Sequence, residues 1–298
     1  MPRLLETDEE SHPDQFVNLD WKMLPKLCMI AGSGYLPQEI INFCHFSQQP
    51  LVVVALKGQT DPTLNLTNVE HKWFRIGAAG SIVNFIHSLS IKNLILAGGI
   101  NRPNFQAMRP DLWTVRFFAK TGAGMLGDDG LLSHLVKFLH EQEGFNIIGP
   151  HNLLPNLLAT KGANGAILPK TTDQTDIEIG IKASLELGQK DIGQAAVAKD
   201  GKIIGLEDQN GTDNLLARIS NNSSTIKRGV LVKMSKPKQE IRTDLPSIGP
   251  ATVQNAKKAD LSGIAIETGM SLILDREKTI NLANKYEIFI FGIKKQIS

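Results

Sequence analysis

The sequence predicts an α/β protein of two domains, the first a Rossmann-like, mainly parallel sheet and the second a mixed α/β unit. Three observations carry this expectation. Lys26–Ala31 is an apolar strand that runs into Gly32-Ser-Gly34 and then into a helical pattern. Leu51–Leu56 is continuous and rich in β-branched residues, as expected of a strand covered on both faces. Strand and helix patterns then go on alternating through 298 residues, a length that suits two domains. The expected divisions are a flexible extension over residues 1–25, a Rossmann-like domain over 26–155, a linker over 156–170, and a mixed α/β domain over 171–298.

Each element has its own warrant. Pro37 suits the first turn of a helix with Ile40, Ile41 and Cys44 on its apolar side. A helix near Ala79–Leu89 and a strand at Asn93–Ala97 continue the alternation, and that strand ends in Gly98-Gly99-Ile-Asn-Arg102. The glycines of Thr121–Gly130 loosen the chain before a helix marked by Leu131, Leu132, Leu135, Val136 and Leu139. Asp128 or Asp129 is placed to cap that helix, and the other is free for metal or substrate. Phe145–Ile148 reads as a strand, and Pro155–Lys170 loosens into the linker. Beyond it come a helix at Ile177–Leu187 and strands at Gln194–Lys199 and Lys202–Glu207, joined through the hairpin signal Asp200-Gly201. Asp213 opens a short helix, where capping and function compete as explanations. Gly229–Lys233 is a strand, Pro250 starts a helix, and strands at Ser262–Glu267 and Glu287–Phe291 flank a helix at Asp275–Tyr286.

Composition narrows the function classes. A net charge of +2 argues against nucleic acid as a partner, so any positive field is local. No apolar run approaches the roughly 20 residues of a membrane span. Cys28 and Cys44 sit in apolar surroundings without metal-site spacing, which predicts buried thiols in a reducing cytoplasm. The seven histidines form no HxxH or HExxH pattern, and no Walker-type lysine loop is present. The Gly32–Gly34 turn has Pro37 where a dinucleotide fingerprint has its third glycine. A plain tight turn and a nucleotide or sugar contact both stay open there.

The polar stretch from Glu207 to Gly249 holds the chemistry that remains. Between Lys233 and Asp244 it carries three lysines, one arginine and two carboxylates, with Glu207 and Asp213 just upstream. Taken alone, such a run also fits a solvated loop. Its residue types suit Mg²⁺-assisted attack on a phosphate ester or anhydride: cations offset charge on the non-bridging oxygens, and a carboxylate orients water. Arg102, at a strand's carboxyl end, is a candidate contact for phosphate or uracil, or a solvated surface residue.

Seven motifs then occur in order: Gly32-Ser-Gly34-Tyr-Leu-Pro37, Gly98-Gly-Ile-Asn-Arg102-Pro, Gly127-Asp-Asp129-Gly, Asp191-Ile-Gly-Gln194, Asn210-Gly-Thr-Asp213, Lys236–Gly249 and Gly263–Gly269. Together they resemble the LpxI type of UDP-2,3-diacylglucosamine pyrophosphatase, a lipid A enzyme of Gram-negative bacteria, over Leu27–Phe291. The resemblance implies two domains holding the lipid-linked nucleotide between them. It also implies Mg²⁺-dependent hydrolysis to UMP and 2,3-diacylglucosamine 1-phosphate (lipid X).

Carried onto this chain, the resemblance makes Asp244 central to turnover, as water-orienting group or Mg²⁺ ligand. Asp213 and Glu207 are expected to add carboxylates to the metal site, while Lys233, Lys236 and Arg242 offset diphosphate charge. Gly32, Gly34, Leu36, Arg102, Gly127, Asp128, Asp129, Gly211, Thr212 and Gln239 are the expected substrate contacts. Two positions depart from the family pattern: Asn210 stands where Glu is usual, and Glu240 where Asp is usual. The substrate's acyl chains call for an apolar groove, and a peripheral contact with the inner membrane and a homo-oligomer are compatible with this reading. A nucleotide-sugar binder without turnover is the main alternative, and a nicotinamide-dependent oxidoreductase the weaker one.

Overall fold

The computed structural model describes residues 25–101, 108–122, 128–221, 228–237 and 239–294, without the side chains of Asp128 and Asp129. The N-terminal extension, Arg102 and Gly127 lie outside the described residues. So do the side chains on which the two aspartate assignments rest.

The first sheet is parallel throughout, in the order β3-β2-β1-β4-β5. Its strands are β1 (Leu27–Ala31), β2 (Leu51–Leu56), β3 (Glu70–Phe74), β4 (Asn93–Ala97) and β5 (Asn146–Ile147). Helix α1 (Leu36–Phe46) links β1 to β2, and α2 (Ala79–Ser88) links β3 to β4. Helices α3 (Leu112–Thr121) and α4 (Asp128–Glu143) precede β5. Alternate residues of β1 serve opposite cores. Leu27, Met29 and Ala31 pack with Ile40 and Ile41 of α1, while Cys28 packs with Ile82, Val83 and Ile86 of α2. Burial on both faces accounts for the unbroken apolar runs of β1 and β2. It also pushes both thiols up to about 12, so Cys28 and Cys44 are inert packing residues.

After β5 the chain makes α5 (Pro150–Leu153) and a 3₁₀ turn at Pro155–Leu157. The next short strand, β6 (Gly162–Ala163), falls within the expected linker and forms the antiparallel edge of the second sheet. That sheet has the order β6-β13-β11-β9-β7-β8. Helix α6 (Thr171–Gln189) covers one face, against β7 (Ala195–Lys199) and β9 (Val230–Lys233). The other face packs on α7 (Gly211–Asn221), α8 (Pro250–Lys258) and α9 (Arg276–Lys285). Strands β8 (Lys202–Leu206), β11 (Gly263–Glu267) and β13 (Phe289–Ile293) complete it. Asp200 and Gly201 join β7 to β8 with φ of 50° and 74°, the left-handed pair that a two-residue hairpin demands.

A small parallel pair, β10 (Ser247–Ile248) with β12 (Leu272–Ile273), lies between the two sheets. Leu272 of this pair, with Leu245 and Leu274, joins Leu153, Leu154 and Leu157 in the core under β1. The C-terminal half of the chain thus supplies apolar side chains to the N-terminal half. A hydrogen bond from the Asp275 amide to Glu39 of α1 (2.9 Å) adds a polar tie between the halves.

Candidate active site

The strand order of the first sheet opens a crevice at its carboxyl edge. From β1 the chain runs outward to β2 and β3, then returns to β4 on the other side of β1. The loops after β1 and β4 therefore depart in opposite senses, which is where open α/β sheets hold ligands. Here the two loops are tied together. Gly32 N–H donates to the Ala97 carbonyl (2.8 Å), and Ser33 and Gly99 exchange backbone hydrogen bonds of 2.8 and 3.0 Å. The Ser33 hydroxyl donates to the same Gly99 carbonyl. A Cβ on Gly32 would run into that carbonyl oxygen, so Gly32 is demanded by the approach of two backbones. Its amide is already committed and cannot also serve a phosphate.

Beyond this tie, Gly34, Tyr35 and Leu36 line a cleft of about 250 Å³ together with Gly98, Gly99 and Pro150. They lead into α1, whose N-cap Tyr35 provides no side-chain cap. Amides of a helix's first turn have no intrahelical acceptor and attract anions. The opposite wall is made by Thr243, Asp244, Leu245 and Ser247, with Leu272 and Leu274. The structure therefore brings Gly34 and Leu36 together with Asp244, across more than 200 residues of sequence.

Asp244 is held from its own loop. Its amide donates to the Glu240 carbonyl (2.9 Å), and Gln239 Nε2 donates to its Oδ2 (3.0 Å). Glu240, the longer acid at a variant position, grips Arg242 through Nε and Nη2, both at 2.7 Å. That bidentate pair raises the Arg242 pKa above its ordinary value. Arg242 is thus paired with an acid of its own loop and is not among the residues that line the cleft. Lys236 is likewise paired, with Asp191 at 2.9 Å.

Lys233 is different. It ends β9, is only 8% exposed, and donates from Nζ to the Ser247 carbonyl (3.1 Å). Among the described residues no carboxylate lies within ion-pair distance of it. A buried ammonium without a counter-charge is costly unless something anionic arrives, and Ser247 is itself part of the cleft wall.

The other expected carboxylates do not gather here. Glu207 is 6% exposed and spends both oxygens inside the protein: Gln194 N–H donates to Oε2 and the Thr212 hydroxyl to Oε1, each at 2.6 Å. Thr212 is thereby occupied too. Asp213 is exposed and accepts from Asn255 of α8 (3.0 Å), and the neighbouring Gly211 opens α7. Among the described residues no group of three or more His, Cys, Asp or Glu side chains is arranged to hold a metal. The reason lies in strand order. Glu207 follows β8 and Lys233 ends β9, with β7 between them, and two strand spacings amount to about 10 Å. A shared edge does not make a shared site.

Asp244 Oδ1 accepts no hydrogen bond among the described residues. This donor set fits Mg²⁺ held by one carboxylate plus water and phosphate oxygens, the usual manner for that ion. It does not fit a protein-only cage of Asp244, Asp213 and Glu207.

Sequence reasoning passed over Glu267, which ends β11 one residue past Ile266, the register partner of Lys233. It is buried, and its Oε2 accepts from the Ser235 amide (2.9 Å) and hydroxyl (2.5 Å). The strand-end rule that singled out Glu207 and Lys233 applies equally to Glu267. Of the other cleft residues, Thr243 and Ser247 lie within the Lys236–Gly249 motif without being singled out, and Leu272 lies in no motif.

Residues 26–157 match the family model of the LpxI N-terminal domain, and residues 160–291 that of the LpxI C-terminal domain. The chain is 34% identical over 278 residues to "UDP-2,3-diacylglucosamine pyrophosphatase LpxI" of Caulobacter vibrioides, covering 91% of this chain and 98% of the relative. With both domain models matched in order and the relative covered end to end, the chain belongs to the LpxI family of pyrophosphatase enzymes.

Proposed function

We propose that the protein hydrolyses the diphosphate of UDP-2,3-diacylglucosamine to UMP and 2,3-diacylglucosamine 1-phosphate, in the cleft between Gly34–Leu36 and Thr243–Leu245. One observation carries the reading: a carboxylate with a free oxygen, Asp244, faces the open N-terminus of α1 across a cleft at the switch point of the first sheet. The Caulobacter relative, named for this substrate, supports the choice of diphosphate.

Each residue then has a physical task. The first turn of α1 and the Gly34–Leu36 backbone receive the anionic diphosphate. Lys233, buried and unmatched by a carboxylate, offsets the charge that grows on the phosphate oxygens as the P–O bond breaks. Asp244 orients the attacking water and takes up its proton as the new P–O bond forms. Mg²⁺, for which Asp244 is the candidate protein ligand, would polarise phosphorus and neutralise charge when bound. Lys236 and Arg242, already paired, act as a more distant positive surround. At about 250 Å³ the cleft is smaller than the roughly 300–1,000 Å³ of pockets for drug-sized ligands, so it suits the polar middle of this substrate. The acyl chains lie outside it, at a surface compatible with peripheral membrane contact. No described helix is long and apolar enough to cross a membrane.

The test is to incubate the purified protein with UDP-2,3-diacylglucosamine and Mg²⁺ and follow the products by mass spectrometry, with and without chelator. Release of UMP with the acylated sugar 1-phosphate, abolished by chelator, is expected. Tight binding of the intact substrate with no UMP released would reduce the protein to a binder and overturn the proposal.

A further inference from the structure

A chain of hydrogen bonds stands behind Asp244 that the hydrolytic roles above leave unused. It starts at the carboxyl end of β11, where buried Glu267 receives both the amide and the hydroxyl of Ser235 through one oxygen. Ser235 is itself buried, so the chain leaving β9 is pinned two residues beyond Lys233. The next amide, of Lys236, donates to Gln239 Oε1 (3.0 Å). The same side chain then donates from Nε2 to Asp244 Oδ2 (3.0 Å).

The order of these bonds matters. An amide side chain has one accepting and one donating end, and a backbone N–H can only donate. Lys236 N–H therefore fixes which end of Gln239 faces it, and the donating end is turned to the carboxylate. Gln239 is only 9% exposed, so water competes poorly for either bond. Its donor is also neutral. The cations of the loop are engaged elsewhere, Lys236 with Asp191 and Arg242 with Glu240, and Lys233 donates to the Ser247 carbonyl. Among the described residues Asp244 thus has no ion-pair partner, and one of its two oxygens is tethered while the other is left open.

We propose that Gln239 is a positioning residue for Asp244: anchored through Lys236 N–H to the Ser235–Glu267 pair, it holds one carboxylate oxygen so that the other faces the reacting phosphate. This differs from a substrate contact, the role expected for Gln239 from its motif alone. It rests on the reading that Asp244 serves the hydrolysis.

The experiment compares Gln239→Met with Asp244→Ala on the full chain, measuring kcat and KM for the acylated nucleotide, and UDP affinity by calorimetry without metal. Met keeps the length of the side chain and removes both of these hydrogen bonds, together with a longer one from Nε2 to Gln194 Oε1 (3.5 Å). A carboxylate misplaced by about 1 Å can lower the rate some hundredfold. We expect kcat to fall between tenfold and a hundredfold, with KM and UDP affinity within about twofold of the parent, and Asp244→Ala to be inactive. A Gln239→Met enzyme with parental kcat beside an inactive Asp244→Ala overturns the positioning role alone. So does a raised KM and weakened UDP binding at unchanged kcat, which would make Gln239 a substrate contact. An active, folded Asp244→Ala sinks the underlying reading and this one with it. Should Gln239→Met not fold, Gln239→Leu, which also has no donor for Asp244, is expected to show the same kcat loss.

Discussion

Lys233 closes β9 with its ammonium buried against the Ser247 carbonyl. A lysine closing an apolar strand is legible as a strand-end residue, and β9 delivers it there. What the letters cannot carry is its solitude. Lys236 and Arg242 lie in the same run and look equivalent, yet each is matched by an acid, one of them 45 residues away in sequence. Glu207 shows the same limit from the other side. Its place at a strand end was readable, but its two tight hydrogen bonds to Gln194 and Thr212 were not, because both depend on the path of β7 and α7. Gly32 changes meaning too, from a backbone that touches a ligand to one that lets two loops touch each other. The unmatched cation gives a direct expectation. Lys233→Met removes the charge and keeps the stem, so the fold should hold while kcat/KM falls about 10²- to 10³-fold, as for other lost transition-state donors. Steady-state kinetics beside a thermal melt would check it. A loss in Lys236→Met as large as in Lys233→Met would contradict the distinction drawn here.

At the level of elements, the strands buried on both faces were readable because apolar runs of five or six residues leave little choice. β3 was not, since Glu70-His-Lys-Trp-Phe74 is mostly exposed and edge strands carry no such run. Helix α3 also escaped notice, because its signal is a cap. Asp111 accepts the Thr114 amide at the start of its own helix, and its second oxygen takes the Gly80 and Ser81 amides at the start of α2. One carboxylate thus caps two helix N-termini, favoured by both dipoles. Asp111→Ala should destabilise the protein by about 2 kcal/mol, the upper end for a single cap, measured as a shift in urea midpoint at constant slope. Asp111→Asn, which can still accept, should recover most of it. A change below a few tenths of a kcal/mol would show that water replaces the cap without cost.

For the whole molecule, the two-domain reading followed from alternation and length, and the sheets carry it. The β10–β12 pair was invisible in sequence, for two-residue strands have no period. It nevertheless joins the halves: Leu272 is buried among Leu153, Leu154 and Leu157, and pairs with Leu158 across an isolated bridge. Leu272→Ala leaves a cavity in a core shared by both halves and should cost about 2–5 kcal/mol. Because the loss falls on the contact between halves, calorimetry should show one parental transition resolving into two. A single cooperative transition, merely shifted, would mean that other contacts suffice to couple them.

The tie between Ser33 and Gly99 has a mechanical consequence. Two loops joined by three hydrogen bonds, with a glycine wedged where no side chain fits, behave as a fixed jaw rather than a hinge. The facing segment is pinned as well, Asp244 by its bond from Gln239 and Leu245 by the core it shares with Leu153 and Leu154. A bulky, two-tailed substrate then meets two fixed jaws, and the distance between them is a gauge for the polar group that must pass.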